Sequence, residues 1–276
     1  MPYCQQDKLN IYYEIHGQGS PLVMIRGLGS NADHWYAQTE FFAKFFKVLI
    51  FDNRGIARSS DPGEDYTVPA MAADTVGLMD ALKLKMAYVM GLSMGGMIAQ
   101  ELAINYPDRI KGLVLVCTHC GGSRQTQPSA EVSALFKEMV YENSPEAKVN
   151  AATTLFHLHT LKNFPEIPKY YSDVSLKNPA STEILIKQWG AVLQHDTYSR
   201  LPRIGAPTLV LSGDGDVLIP PENSKILAER IPNAELEIVP NAGHQVLIEQ
   251  AALCNEAILN FLRRCENQWS ARKPSS

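Results

Sequence analysis

The chain has 276 residues, 45% hydrophobic and 20% charged, the composition of a globular protein whose core needs no disulfide or structural metal. Lysine and arginine number 25 against 29 aspartates and glutamates, a net charge of −4, so nothing draws the chain to nucleic acid or to an anionic membrane surface. Intrinsic disorder, collagen-like repeats and small disulfide scaffolds are excluded.

In chain order, Leu22-Val23-Met24-Ile25 reads as a buried strand ending at Gly27. Residues 33–46 read as a helix with Trp35, Phe42 and Phe45 on one face. Lys47-Val48-Leu49-Ile50-Phe51 is the next strand, residues 71–84 a helix, Ala87-Tyr88-Val89-Met90 a strand, and 97–106 a helix stopped by Pro107. Leu113-Val114-Leu115-Val116 is a further strand. From 121 to 200 strand-like runs cease. Residues 130–141, 146–157 and 182–194 read as helices, punctuated by Pro165, Pro168 and Pro179. Alternation resumes with the strands Thr208-Leu209-Val210-Leu211 and Glu235-Leu236-Glu237-Ile238-Val239 and a final helix over 246–263. Strands alternating with helices imply a mostly parallel sheet. The expected organisation is a core of residues 1–120 and 201–276 interrupted by a helical insertion, 121–200. The five cysteines read as reduced thiols, and the polar start Met1-Pro2-Tyr3-Cys4-Gln5-Gln6-Asp7 lacks the regions of a signal peptide. No apolar run is long enough to span a bilayer. The expectation is a cytoplasmic protein with no membrane partner.

Gly91-Leu92-Ser93-Met94-Gly95 is a G-x-S-x-G match between a strand and a helix, where a nucleophile elbow must sit. Such a turn pushes the serine Oγ above the sheet, and side chains two residues either side would clash. A serine hydroxyl needs a base, and the base needs an orienting acid. Asp216 follows one late strand, in Gly213-Asp214-Gly215-Asp216-Val217-Leu218-Ile219-Pro220, and His244 follows the next, in Asn241-Ala242-Gly243-His244. Both lie at the carboxyl ends of strands, where ligands gather in open α/β sheets.

On these motifs the chain resembles the α/β-hydrolase-fold serine hydrolases over nearly its whole length. Phe51-Asp52-Asn53-Arg54-Gly55-Ile56-Ala57-Arg58-Ser59-Ser60 is similar to the family's D-x-R-G-x-G-x-S segment, with Ala57 in place of the last glycine. The run from Gly213 to Pro220 matches the family's G-x-x-D-x-x-x-P acid loop, a frame that selects Asp216 over Asp214. Gly243-His244 followed by Glu249 matches its histidine segment. The resemblance implies Ser93 as nucleophile, His244 as general base and Asp216 as its orienting acid. It also implies an oxyanion hole from the backbone N–H groups of Met94 and Leu28. The loop usually written H-G-x-G reads Arg26-Gly27-Leu28-Gly29 here. Arg26 either braces that loop or contacts an anionic part of the substrate. The insertion is placed like the family's cap. It carries Phe136, Met139, Tyr141, Phe156, Tyr170, Tyr171 and Trp189, as cap core or as the roof of an apolar pocket.

Cys117-x-x-Cys120 with His119 looks like half a metal motif, but no second ligand pair is visible, so neither metal nor cofactor is expected. His195-Asp196 reads as a hinge where the insertion returns. Similarity to 3-oxoadipate enol-lactone hydrolases and to small carboxylester and methyl-ester esterases implies a small-molecule ester or lactone as substrate. A carbon–carbon hydrolase and a non-catalytic ligand-binding or receptor protein on the same fold remain as alternatives.

Overall fold

The computed structural model describes residues 2–63 and 66–271. A short hairpin opens the chain, β1 (Tyr3–Gln6) and β2 (Leu9–His16). β3 (Pro21–Ile25) follows, then the one-turn helix α1 (Thr39–Phe42), β4 (Lys47–Phe51), α2 (Val68–Ala81), β5 (Ala87–Leu92), α3 (Met94–Asn105) and β6 (Ile110–Val116). Five helices come next: α4 (Ala130–Glu142), α5 (Pro145–Leu155), α6 (Leu158–Asn163), α7 (Glu166–Lys177) and α8 (Thr182–Gln194). The chain then returns through β7 (Thr208–Gly213), α9 (Glu222–Arg230), β8 (Ala234–Val239), α10 (Val246–Glu249) and α11 (Ala251–Ala271).

The eight strands form one sheet in the order β1-β2-β4-β3-β5-β6-β7-β8. β2 pairs antiparallel with β1 and β4, and the remaining pairs are parallel. Parallel strands buried on both faces read as continuous apolar runs, and β5 and β7 are buried at every residue. Alternate side chains go to opposite layers. Val23, Ile25, Val89 and Leu115 pack with α2 and α3, while Leu22, Met24, Met90 and Val116 pack with Trp35, Phe42 and α11. All five cysteines are free and buried. Among the described residues no helix is long and apolar enough to cross a membrane.

The sheet and its flanking helices follow the sequence, with four departures. The helix expected over 33–46 is a 3₁₀ turn, Ala32–Trp35, followed by α1. Polar anchoring overrides the periodicity there: the Asn31 side chain caps the turn, and the buried Gln38 amide donates to the Leu247 carbonyl at 2.7 Å. Phe45 is consequently exposed while Trp35 and Phe42 are buried. The final helix breaks at Gln250 into α10 and α11. α6 and α7 arise where Pro165 and Pro168 suggest only punctuation. Pro165 caps α7 and Pro168 lies in its first turn, where a missing N–H costs nothing. The β1–β2 hairpin and α9 carry little signal in the sequence, because β1 is short and half polar and α9 buries only Asn223, Ser224 and Leu227.

Between β6 and β7 no strand interrupts the helices, and the two ends of this excursion meet where Gly121 bridges Asp196. Phe136, Val140 and Leu185 of the excursion form a small apolar cluster with Leu218 and Ile219 of the sheet's C-terminal edge.

Candidate active site

Ser93 stands between β5 and α3 at φ 57° and ψ −124°, a conformation that costs a non-glycine residue on the order of 1–3 kcal/mol. The surroundings enforce it. A Cβ on Gly91 would overlap the Gly95 carbonyl, and one on Gly95 would overlap the Ile25 carbonyl, so α3 can start this close to β3 and β5 only with glycine at both places. The Ser93 N–H donates to the Val116 carbonyl at 2.9 Å, and Thr118 Oγ1 donates to the Ser93 carbonyl at 2.8 Å. The backbone is thus held from β6 as well.

Asp216 and His244 meet beyond the ends of β7 and β8, with His244 Nδ1 2.9 Å from Asp216 Oδ2. Both residues are 2% exposed. The other carboxylate oxygen, Oδ1, accepts from the N–H groups of Leu218 at 3.0 Å and Ile219 at 2.8 Å, which fixes the carboxylate plane. Asp214 is exposed, and among the described residues its side chain reaches only the Ala242 N–H, at 3.4 Å. The histidine loop is tied to the helical excursion. Glu249 accepts from the N–H groups of Gly243 and His157, each at 2.8 Å, and the Gln245 N–H donates to the Leu155 carbonyl at 2.9 Å. Burial holds the Glu249 carboxyl above its ordinary range.

Two cavities, of about 140 and 180 Å³, meet at Ser93, and both are also lined by Leu28 and Phe136. His244, Gln245 and Tyr171 line the first; Met94, His119 and Trp189 line the second. Ser93 Oγ and His244 form no hydrogen bond among the described residues. Bonds of this kind commonly tighten only when substrate is bound. The Arg26-Gly27-Leu28-Gly29 loop lies against Ser93, since a Cβ on Gly27 would stand 3.0 Å from that of Ser93. Neither the Leu28 N–H nor the Met94 N–H donates to an acceptor among the described residues. Met94 begins α3, so its N–H also carries the positive end of the helix dipole.

Of the two readings of Arg26, a brace of the loop or a contact to substrate, its burial favours the brace. It is fully buried and lines neither cavity. Its guanidinium sits 4.9 Å from the Trp35 ring centroid and donates to Gln245 Oε1 at 3.2 Å, while Nε and Nη1 have no hydrogen-bond partner among the described residues. Burial pushes its pKa down. It reaches the first cavity through Gln245, whose Nε2 donates to Tyr171 Oη at 3.4 Å. Of the large apolar and aromatic residues in the excursion, Phe136, Met139, Phe156 and Tyr171 line the first cavity, Trp189 packs on Phe136 at 5.5 Å in the second, and Tyr141 and Tyr170 are exposed.

The D-x-R-G-x-G-x-S-like segment is a brace. Asp52, fully buried, accepts from the Ala32 N–H at 2.7 Å and from Arg58 Nε at 2.7 Å, and Asn53 Nδ2 donates to the Arg26 carbonyl at 3.0 Å. Ala57, in place of glycine, has φ 49°. The paired-cysteine motif does not close. Cys117 Sγ lies with the ligand atoms of Asp216 and His244 within 4.8 Å of one another, but burial pushes its thiol pKa well up, leaving a neutral thiol beneath the carboxylate. Gln245 and His119 line the cavities and Gln188 holds the Gly29 loop, and sequence reasoning assigns none of the three to the site.

An α/β fold with a strained serine at a strand–helix turn, and an imidazole–carboxylate pair beyond the last two strands, defines a hydrolase class. The family model for the alpha/beta hydrolase fold matches residues 20–251. The chain belongs to that family and is a hydrolase. It is 29% identical over 263 residues to a putative carbamate hydrolase, RutD, of Azorhizobium caulinodans, covering 95% of this chain and 98% of that protein. Among solved structures it is similar to the enol-lactonase of Burkholderia xenovorans LB400, with TM-score 0.85, 27% identity and coverage of 95% and 100%. It is also similar to a thermophilic esterase of Thermogutta terrifontis, with TM-score 0.81, 28% identity and coverage of 93% and 94%.

Proposed function

We propose that the protein hydrolyses a small carboxylic ester or lactone through an acyl-enzyme on Ser93. The observation that carries this reading is the His244–Asp216 contact of 2.9 Å at the cavity that Ser93 also lines. The likeness to an esterase and an enol-lactonase supports the substrate class. Residues 121–200 act as a cap over the core formed by 1–120 and 201–276, with Trp189 on the substrate-facing wall.

The reaction runs in two halves. Ser93 Oγ attacks the carbonyl carbon as His244 Nε2 takes its proton. The developing oxyanion accepts from the Leu28 and Met94 N–H groups. Asp216 holds the imidazole with its Nδ1–H toward the carboxylate and favours the imidazolium. When the tetrahedral intermediate collapses, His244 passes the proton to the leaving oxygen, releasing the alcohol and leaving Ser93 acylated. A water then gives a proton to His244 and attacks the acyl carbon. The second collapse returns the proton to Ser93 and frees the acid.

A fluorophosphonate probe tests this directly. It is expected to label wild-type protein on Ser93 alone, and Ser93→Ala and His244→Ala are each expected to lower kcat on p-nitrophenyl esters by about 10⁴- to 10⁶-fold in folded protein. Near-normal turnover by Ser93→Ala would overturn the reading.

A further inference from the structure

One imidazole on the cavity wall has no part in the Ser93 chemistry. After β6 the chain turns at Cys117, with φ 45°, and carries Thr118 and His119 over the start of α3. Both are pinned: Thr118 by its bond to the Ser93 carbonyl, and His119 by Gln100 Nε2, which donates to its carbonyl at 3.0 Å. The ring itself is fixed by the Gly121 N–H, which donates to His119 Nδ1 at 3.0 Å. A nitrogen that accepts carries no proton, so the neutral ring holds its hydrogen on Nε2. His119 is 8% exposed. Burial pushes its pKa down to about 3, so the ring stays neutral at ordinary pH. Nε2 has no hydrogen-bond partner among the described residues, and the residue lines the second cavity beside Ser93, Met94, Met97 and Trp189.

The two cavities divide a substrate at Ser93. His244 lines the first and must deliver its proton to the leaving oxygen, so the alcohol half belongs there and the acyl half in the second. This division rests on the Ser93 reading. We propose that His119 Nε2–H is a fixed donor to the acyl part of the substrate, and that it selects acyl chains bearing an uncharged oxygen acceptor, a keto, hydroxyl or ether group. Met97, Trp189 and Leu218 make apolar wall, Gln125, Thr126, Gln127 and Ser133 also line this cavity, and its charged residue, Lys137, is exposed. A plain methylene chain would strip water from this N–H and give nothing back, which is the situation in which polar sites discriminate most strongly.

The test uses the full-length protein and p-nitrophenyl esters in pairs of equal chain length, with an ether or keto oxygen moved along the acyl chain against the all-methylene control. In wild type the ratio of kcat/KM, oxygenated over methylene, is expected to reach about ten or more at one position. In His119→Phe that ratio falls toward one, and in His119→Gln, which keeps an N–H donor, it is partly restored. The fluorophosphonate probe is applied to every variant. A wild-type ratio near one at every position, in protein that labels on Ser93, would overturn the proposal without any variant having to fold. So would a folded His119→Phe that keeps the wild-type ratio. Wild type that neither labels on Ser93 nor turns over an ester would overturn the Ser93 reading and, with it, this one.

Discussion

The Gly29 N–H donates to Gln188 Oε1 at 2.9 Å, tying the loop that carries Leu28 to helix α8. Gln188 is fully buried and its Nε2 has no partner among the described residues, so this acceptor contact is what its amide contributes. Gln188→Leu is expected to lower kcat about ten-fold with little change in KM, because a displaced Leu28 N–H weakens transition-state binding more than substrate binding. Gln188→Glu keeps the acceptor and is expected to retain most of the rate. Steady-state kinetics on one p-nitrophenyl ester decide it: a Leu variant that loses thermal stability yet keeps its kcat would uncouple the helix from the site.

Asp216→Asn is expected to cost on the order of 10⁴ in kcat, since an amide at Oδ2 favours the wrong imidazole tautomer. Asp214→Asn, at an exposed position with one 3.4 Å contact, is expected to cost little. Comparing the two kcat values in parallel is sufficient, and the opposite ranking would move the acid to Asp214.

Arg26→Met is expected to lower kcat/KM for neutral and anionic esters alike, on the order of ten-fold, because the guanidinium reaches the cavity by positioning Gln245 and, through it, Tyr171. Matched esters with and without a terminal carboxylate give the comparison. A loss confined to the anionic member would mean that the guanidinium faces substrate after all.

His34, His119 and His195 are buried with pKa values pushed down to about 3, chiefly by loss of hydration. In the unfolded chain each titrates near 6.5. Below that value the unfolded state binds protons that the folded state refuses, so stability falls as pH falls, and the loss continues until the folded pKa is reached. At pH 5.5 the three together amount to about 4 kcal/mol. Urea midpoints at pH 7.5 and 5.5 measure it, and unchanged midpoints would show that these rings accept protons in place.

The elbow, the acid loop and the histidine loop are legible because their glycines and prolines act on immediate neighbours: Gly91 and Gly95 are needed by contacts at one turn, and the frame from Gly213 to Pro220 surrounds Asp216. The braces are not legible, since they join distant positions. Gln188 and Gly29 are 159 residues apart, and Arg26 and Gln245 are 219 apart. Arg26 illustrates the limit: its place in the loop points toward the reacting carbonyl, whereas packing against Trp35 turns it into the interior. His119 was hidden by its neighbours Cys117 and Cys120, which suggest a metal, while its hydrogen is placed by the backbone of Gly121.

The five buried thiols give the protein a built-in record of its own opening. Cys4 lies on the edge strand β1, Cys117 and Cys120 just beyond β6, and Cys254 and Cys265 on α11, while residues 121–200 contain no cysteine. A thiol reagent added to native protein therefore counts excursions of the sheet and its flanking helices, position by position, and is blind to movements within the helices that cover the cavities. Mass spectrometry of the labelled chain would separate fraying at β1 from rupture of the centre. Substrate-dependent changes in turnover with no change in labelling would then be assigned to the helices above the sheet.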